Sequence, residues 1–163
     1  MTLNPIDFRK AMGCFATGVT VITVDEDGET HGMTANAFCS VSLDPVLVLV
    51  CVDQRARTHT RLEARKRFGI NILRSDQQAI SEYYARSEED HQHAEKIGAV
   101  FEKTSHGTPI LAGALAYLEC RLHSGRPAGD HTIFIAEVEQ VVVREGEPLL
   151  YFRGQYRNQE IQQ

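Results

Sequence analysis

The chain has 163 residues, 42% of them apolar and 24% charged. That is enough for one ordinary domain burying roughly 70% of its unfolded surface, without the help of a metal or disulfide, and it excludes general disorder. The formal net charge of -5, from 17 basic and 22 acidic residues, provides no broad basic field for a nucleic-acid backbone or an anionic membrane, so any phosphate must be met locally.

Pro5 to Ala16 is predicted to be a short amphipathic helix. Asn4 can cap it, Pro5 suits its first turn, and Phe8, Met12 and Phe15 share a face that should pack across the sheet. Val19 to Val24 (VTVITV) is β-branched throughout, and the polar turn DEDGE joins it in a hairpin to Thr30 to Phe38. Val46 to Val52 (VLVLVCV), after the Asp44-Pro45 turn, reads as a strand apolar on both faces and therefore covered twice. A polar stretch from Arg55 to Arg67 suits a loop and a surface helix, followed by a strand over Phe68 to Leu73 and a helix over Asp76 to Ala85 with Asp76 as first-turn acid.

Arg86 to Lys103, acidic and containing His91 and His93, has no clear pattern, and its run Ser87-Glu88-Glu89-Asp90 is expected at the surface. Leu115 to His123 alternates, with Ala116, Leu118, Cys120 and Leu122 on one face and Tyr117, Glu119, Arg121 and His123 on the other, as in a half-exposed strand. Ser124 to His131 (SGRPAGDH) is read as a connection into a long strand, Thr132 to Val143, and Leu149 to Phe152 forms the last one. Six or seven strands with a few short helices, lacking the strand-helix rhythm of a parallel sheet, predict a mainly β, small antiparallel barrel over a single domain, residues 1–163.

No GxGxxG, GxxxxGK[ST] or GxSxG is present, so neither a Rossmann loop, a P-loop nor a nucleophile elbow is available. His91 and His93 are spaced for different helix faces, and no metal site is expected. The four cysteines, Cys14, Cys39, Cys51 and Cys120, include no CxxC pair and read as reduced structural thiols. The N-terminal MTLNPIDFRKAMGCF lacks a basic segment followed by an apolar core, and the run Val46 to Val52 is far too short to span a bilayer, so a cytoplasmic protein without a membrane partner is expected.

The stretch GMTANAFCSVS, Gly32 to Ser42, places Thr34, Asn36, Ser40 and Ser42 beside the most apolar strand. Such side chains commonly cap turns. They also suit the edge of a flat heterocycle, and with apolar walls and the basic turn Arg55-Ala56-Arg57-Thr58-His59-Thr60 they meet the needs of a flavin-like mononucleotide: neutral donors and acceptors, hydrocarbon faces, local cations.

The segments FATGVTVIT, GMTANAFCSVSLDPVLVLVCV, FGINIL, GDHTIFIAEVEQV and PLLYFRGQY, in this order from about Phe8 to Tyr156, resemble the flavin reductase-like family, whose members include the short reductase components of two-component flavin monooxygenases. The resemblance implies a split β-barrel, a Greek-key antiparallel barrel of the FMN-binding kind, forming a homodimer. It implies an NAD(P)H:flavin oxidoreductase that uses NADH or NADPH to reduce FMN or FAD and supplies reduced flavin to a separate oxygenase. A non-catalytic flavin- or heme-binding split barrel is the alternative, distinguished by tight ligand retention without NADH oxidation. A pyridoxamine phosphate oxidase-like enzyme would need a stronger Arg/Lys cluster.

Residue by residue, the resemblance implies that Thr34, Ala35, Asn36, Ser40, Val41 and Ser42 line the isoalloxazine and ribityl portion, with Cys51 and Val52 beside them. Arg57, Thr58 and Thr60 match the phosphate turn. His131 of the Gly129-Asp130-His131 motif takes the nicotinamide side, with Phe152 and Tyr156 near the same mouth, although a His at such a junction can also simply cap a hairpin. Many relatives read TANSFTSVS, whereas this chain has Ala37 and Cys39 at the positions of a Ser and a Thr, and Tyr84 stands where the family has Phe. Hydride would pass directly between the two cofactors, so the protein's task is positioning.

Overall fold

The computed structural model describes residues 3–87 and 94–157. Helix α1 (Pro5–Gly13) leads into β1 (Thr17–Gly18), β2 (Thr20–Glu26), β3 (Glu29–Ala35), β4 (Phe38–Leu43) and β5 (Val46–Asp53). Helix α2 (Arg57–Arg65) precedes β6 (Arg67–Ile72), and a 3-10 turn at Ser75–Gln77 runs into α3 (Gln78–Tyr84). The rest is β7 (Phe101–Lys103), β8 (Pro109–Leu111), β9 (Ala116–Ala128), β10 (His131–Val143), β11 (Leu150–Phe152) and β12 (Gln155–Arg157). The fold is thus mainly β with three short α-helices among the described residues. His91, His93, Glu88, Glu89 and Asp90 lie outside the described residues.

A seven-stranded sheet ordered β3-β2-β6-β9-β10-β5-β4 forms the frame, beside a three-stranded sheet β1-β11-β12 and the hairpin β7-β8. The pairs within the frame are antiparallel. In the β2–β3 hairpin, Asp27 and Gly28 both have positive φ, 55° and 92°, the geometry of a two-residue turn whose twist matches its strands. Three strands separate β2 from β5, yet Ile22 and Val24 pack in one cluster with Val48, Val50 and Val52, Leu62 of α2, and Phe134. The frame is therefore strongly curled around this core. A second core on the other side of β2, with Val19, Val21, Ile80, Tyr83, Tyr84 and Leu149, lies under α3. Two cores explain why Thr20 to Val24 is buried at every position rather than at alternate ones.

Four expectations change. The helix α1 is capped by Asn4, whose side chain accepts from the Ile6 N–H at 2.9 Å, but none of its residues is buried and Phe15 beyond it is 70% exposed. Its apolar side is not packed on the chain's own sheet. In β5 the side chains of Val48, Val50 and Val52 enter the core, whereas Leu47, Leu49 and Cys51 remain half-buried on the outer face, so a single chain covers this strand fully on one side only. Of the four free thiols, Cys120 alone is fully buried, with its pKa pushed up to about 12 by burial, while Cys14 and Cys39 are exposed.

The fourth concerns β9. Ser124 to Ala128 continues the strand, so β9 and β10 make one long hairpin with only Gly129 and Asp130 between the paired residues Ala128 and His131. Glu119, expected on the outward face, is fully buried. The loop between β7 and β8 folds over it: Thr104 and Thr108 hydroxyls donate to Glu119 Oε1 at 2.7 and 2.6 Å, and His106 Nδ1 lies 3.3 Å from Oε2. Among the described residues no helix is long and apolar enough to cross a membrane, and no group of three His, Cys, Asp or Glu could hold a metal.

Candidate functional site

The ends of three elements meet around a cavity of about 730 Å3: Gly32, Met33 and Thr34 of β3, the segment Asp53 to Thr58 running from β5 into α2, and Tyr84 to Ser87 at the end of α3. Its size suits a mononucleotide. Helix α2 begins without a side-chain cap, because the N-cap residue is Ala56. The His59 N–H is taken by the Ala56 carbonyl at 3.0 Å, and a first turn with no side-chain cap, flanked by Arg55, Arg57 and the buried Thr58, is an anion-binding arrangement. The donor set therefore fits a phosphate.

The walls are fixed by packing and hydrogen bonds. Thr34 Oγ1 donates to the Ser81 carbonyl at 2.7 Å, and Ser81 Oγ shares a 2.8 Å hydrogen bond with the Tyr156 hydroxyl, so β3, α3 and β12 are tied together behind the cavity. Tyr84 is buried edge-on to Tyr83, and burial, with Tyr83 beside it, pushes its phenol well above the ordinary value and keeps it neutral. Gly32 lies directly against that ring: a Cβ there would sit 2.7 Å from two of its carbons. Gly32→Ala is therefore expected to displace Tyr84, lowering stability by about 1–3 kcal/mol in urea unfolding and weakening whatever binds against the ring.

At the rim, Arg55 holds Asp53 in a two-point ion pair, its Nε and Nη2 at 3.1 and 2.8 Å from the carboxylate oxygens, which keeps the Asp53 carboxyl far below the usual range. His131 faces Asp53 across the β5–β10 ladder, and its Nδ1 lies 2.7 Å from Asp130 Oδ1, which lowers the Asp130 pKa. Gln54 fastens the hairpin, donating from its backbone N–H to the Asp130 carbonyl at 3.0 Å and from Nε2 to the His131 carbonyl at 3.1 Å.

The sequence-predicted residues do not all meet in one place. Thr34, Arg57 and Thr58 line the cavity. Asn36 lies in a separate hollow of about 350 Å3 with Thr17, Gly18 and Phe38, where its Nδ2 is 3.4 Å from Thr17 Oγ1. Ala35 packs toward the core; Ser40 and Val41 are exposed on β4, and Ser42 accepts from the Asp44 N–H at 3.2 Å as a turn cap. Cys51 lies half-buried on the outer face of β5, its thiol pushed up by burial with Cys39 nearby, whereas Val52 is 1% exposed with its side chain packed in the core. Thr60 is exposed on α2 and outside the cavity lining. Phe152 and Tyr156 belong to the small sheet, where Tyr156 packs against Tyr151 at 5.2 Å and Arg153 lies over the Phe152 ring.

Tyr84, which the resemblance sets as an aromatic near the cofactor, lines the cavity, as do Gly32, Arg55 and Arg86, which were not among the expected site residues. Arg55 opens the basic turn and Gly32 precedes Met33-Thr34, so both had a local signal. Arg86 had none.

Residues 12–160 match the flavin reductase like domain. A Rhodococcus NADH-dependent flavin reductase is 40% identical over 98% of this chain and 89% of its own length. The reductase component of 4-hydroxyphenylacetate 3-monooxygenase from Thermus thermophilus is 41% identical over 92% and 93% of the two chains. Among solved structures, the Streptomyces globisporus C-1027 NADH:FAD oxidoreductase SgcE6 in complex with NAD and FAD fragments superimposes with a TM-score of 0.88, at 36% identity, over 99% of this chain and 98% of that one.

Proposed function

The chain belongs to the flavin reductase like family, and from that premise we propose that it is an NADH-dependent flavin reductase whose site is the cavity between β3, α2 and α3. The observation that carries this reading is the uncapped first turn of α2, with Arg55, Arg57 and Thr58, opening onto a mononucleotide-sized hollow. When bound there, FMN or FAD supplies the hydride-accepting ring. Arg57, Thr58 and the N–H groups of α2 hold its phosphate. Thr34 within the cavity and, beyond its lining, Ala35, Asn36, Ser40, Val41 and Ser42, with Cys51 and Val52 beside them, follow its ring and ribityl chain, and fixed dipoles at the ring edge stabilise the charge that grows on reduction. His131, oriented by Asp130, steers the nicotinamide. Phe152 and Tyr156 border the same mouth, and Thr60 flanks the phosphate turn.

The whole of 1–163 acts as one domain, and the curled frame is a split β-barrel. Leu43 and Val46 expose their apolar side chains at the β4–β5 turn, and a second copy of the chain covers this face in a homodimer. Free thiols suit the cytoplasm. Reduced flavin leaves for a separate oxygenase, as the names of the relatives indicate for them.

The test is NADH and NADPH oxidation with FMN or FAD supplied. Oxidation is expected with NADH only when a flavin is present, and no turnover in any of the four combinations overturns the reading. His131→Ala is expected to raise KM for NADH up to about tenfold, the worth of one hydrogen bond, with flavin affinity unchanged.

A further inference from the structure

The two ends of the site are carried by different elements: Arg57 and Thr58 open α2, and His131 opens β10. Gln54 bonds the His131 end from the exposed side, and a largely buried polar pair ties α2 itself to β10. His59 Nε2 lies 2.7 Å from Thr132 Oγ1, where the His59 side chain is 12% exposed and Thr132 3%. The imidazole also packs at 5.1 Å on Phe134, the next inward residue of β10, and its Nδ1 is 3.7 Å from Glu63. Farther along α2 the anchors go elsewhere, Arg61 to Glu26 at 2.8 Å and Arg65 to Asp27 at 2.9 Å, both at the β2–β3 turn.

The geometry points to His59 as a positioning residue, and we infer that its bond to Thr132 fixes the phosphate-binding turn of α2 against β10, setting the span between the flavin phosphate and His131. The inference rests on the flavin reductase reading. Its physical basis is directional. An apolar side chain at 59 would hold α2 on the core with freedom to slide or roll, whereas a hydrogen bond between two buried groups is satisfied in one arrangement and costly to leave unmade. His59 follows Thr58 and Thr132 follows His131, so any shift of this pair moves both ends of the site. Ring-on-ring hydride transfer is sensitive to displacements of about 1 Å, which can cost about 10²-fold.

The experiment uses the full chain with His59→Ala, His59→Gln, Thr132→Val and the double variant His59→Ala/Thr132→Val. Flavin affinity is read by fluorescence quenching, and kcat at saturating NADH and flavin. His59→Ala and Thr132→Val are each expected to lower kcat about tenfold, with a smaller change in KM for NADH. The double variant should be no worse than either single one, because one bond is lost in all three. Gln, whose terminal amide reaches as far as Nε2, should restore most of kcat. Thr132→Val keeps the side-chain shape, so it tests the bond even if His59→Ala does not fold. A folded Thr132→Val variant with kcat within twofold of the parent, or losses that multiply in the double variant, overturns the inference while leaving the flavin reductase reading intact. A parent that oxidises no NADH with either flavin overturns both.

Discussion

Glu119→Ala is expected to lower the unfolding free energy by about 3–5 kcal/mol, read as a shift in the urea midpoint. The carboxylate is fully buried and accepts from the hydroxyls of Thr104 and Thr108 at 2.7 and 2.6 Å. Truncation leaves two hydroxyls without their acceptor, each costing about 1–3 kcal/mol when buried, and opens a cavity under the loop between β7 and β8. Glu119→Gln, which retains one carbonyl oxygen, should lose less. A midpoint for Glu119→Ala that implies a loss under about 1 kcal/mol would mean the loop closes over the site by other contacts.

The same carboxyl makes stability depend on pH, and the sign is fixed by its environment. Burial raises its pKa, but the hydrogen bonds from Thr108, Thr104 and His106 outweigh burial and leave it below the 4.5 of a free Glu. A folded value below the unfolded one contributes stability that is fully present above pH 4.5 and is lost as pH falls through the folded value. Asp25 beside Lys103, Asp76 beside Arg74, and Glu139, held down by Arg67 and Arg121 against partial desolvation, are shifted in the same direction. The parent should therefore weaken steeply below pH 4.5, and Glu119→Ala should weaken less steeply there, since one proton-linked group has gone.

Replacing both Arg57 by Ala and Thr58 by Val is expected to weaken FMN binding about 10–100-fold, from the loss of charge-assisted and hydroxyl hydrogen bonds worth about 1.5–3 kcal/mol together. Riboflavin, which has the same ring and ribityl chain without the phosphate, should bind parent and variant alike. The contrast separates phosphate recognition at the start of α2 from ring recognition along β3. Arg57 is exposed, so part of the difference should fade with added salt, whereas the contribution of Thr58, 7% exposed, should persist. Equal weakening of FMN and riboflavin would place the phosphate elsewhere.

Residues that were legible beforehand share one property: their signal is carried by near neighbours in the chain. The β-branched run at Val19 to Val24, the DEDGE turn and the helix expected over Asp76 to Ala85 each rest on a signal within about ten positions, and each appears in the fold, the helix as a 3-10 turn at Ser75–Gln77 followed by Gln78–Tyr84. The basic turn announced Arg57 and Thr58 in the same way, because an uncapped helix start and its cations are adjacent in sequence. Where alternation alone was used to assign exposure, it failed when a distant segment intervened. Glu119 alternates with inward residues and yet is buried, because Thr104 and Thr108 arrive from 15 and 11 positions away to satisfy it.

Local pattern thus settled a mainly β chain, and the resemblance of its ordered motifs settled the family, since strand propensity, turn chemistry and motif spacing are all written along the chain itself. Three-dimensional packing decided which polar groups meet: Gly32 against the Tyr84 ring, Thr34 on Ser81, His59 on Thr132, and the outer face of β5 left uncovered by the chain's own layers. Those contacts join segments 47 to 73 residues apart in the hydrogen-bonded cases, and no periodicity along one strand or helix encodes a partner that only the curling of the sheet brings within reach.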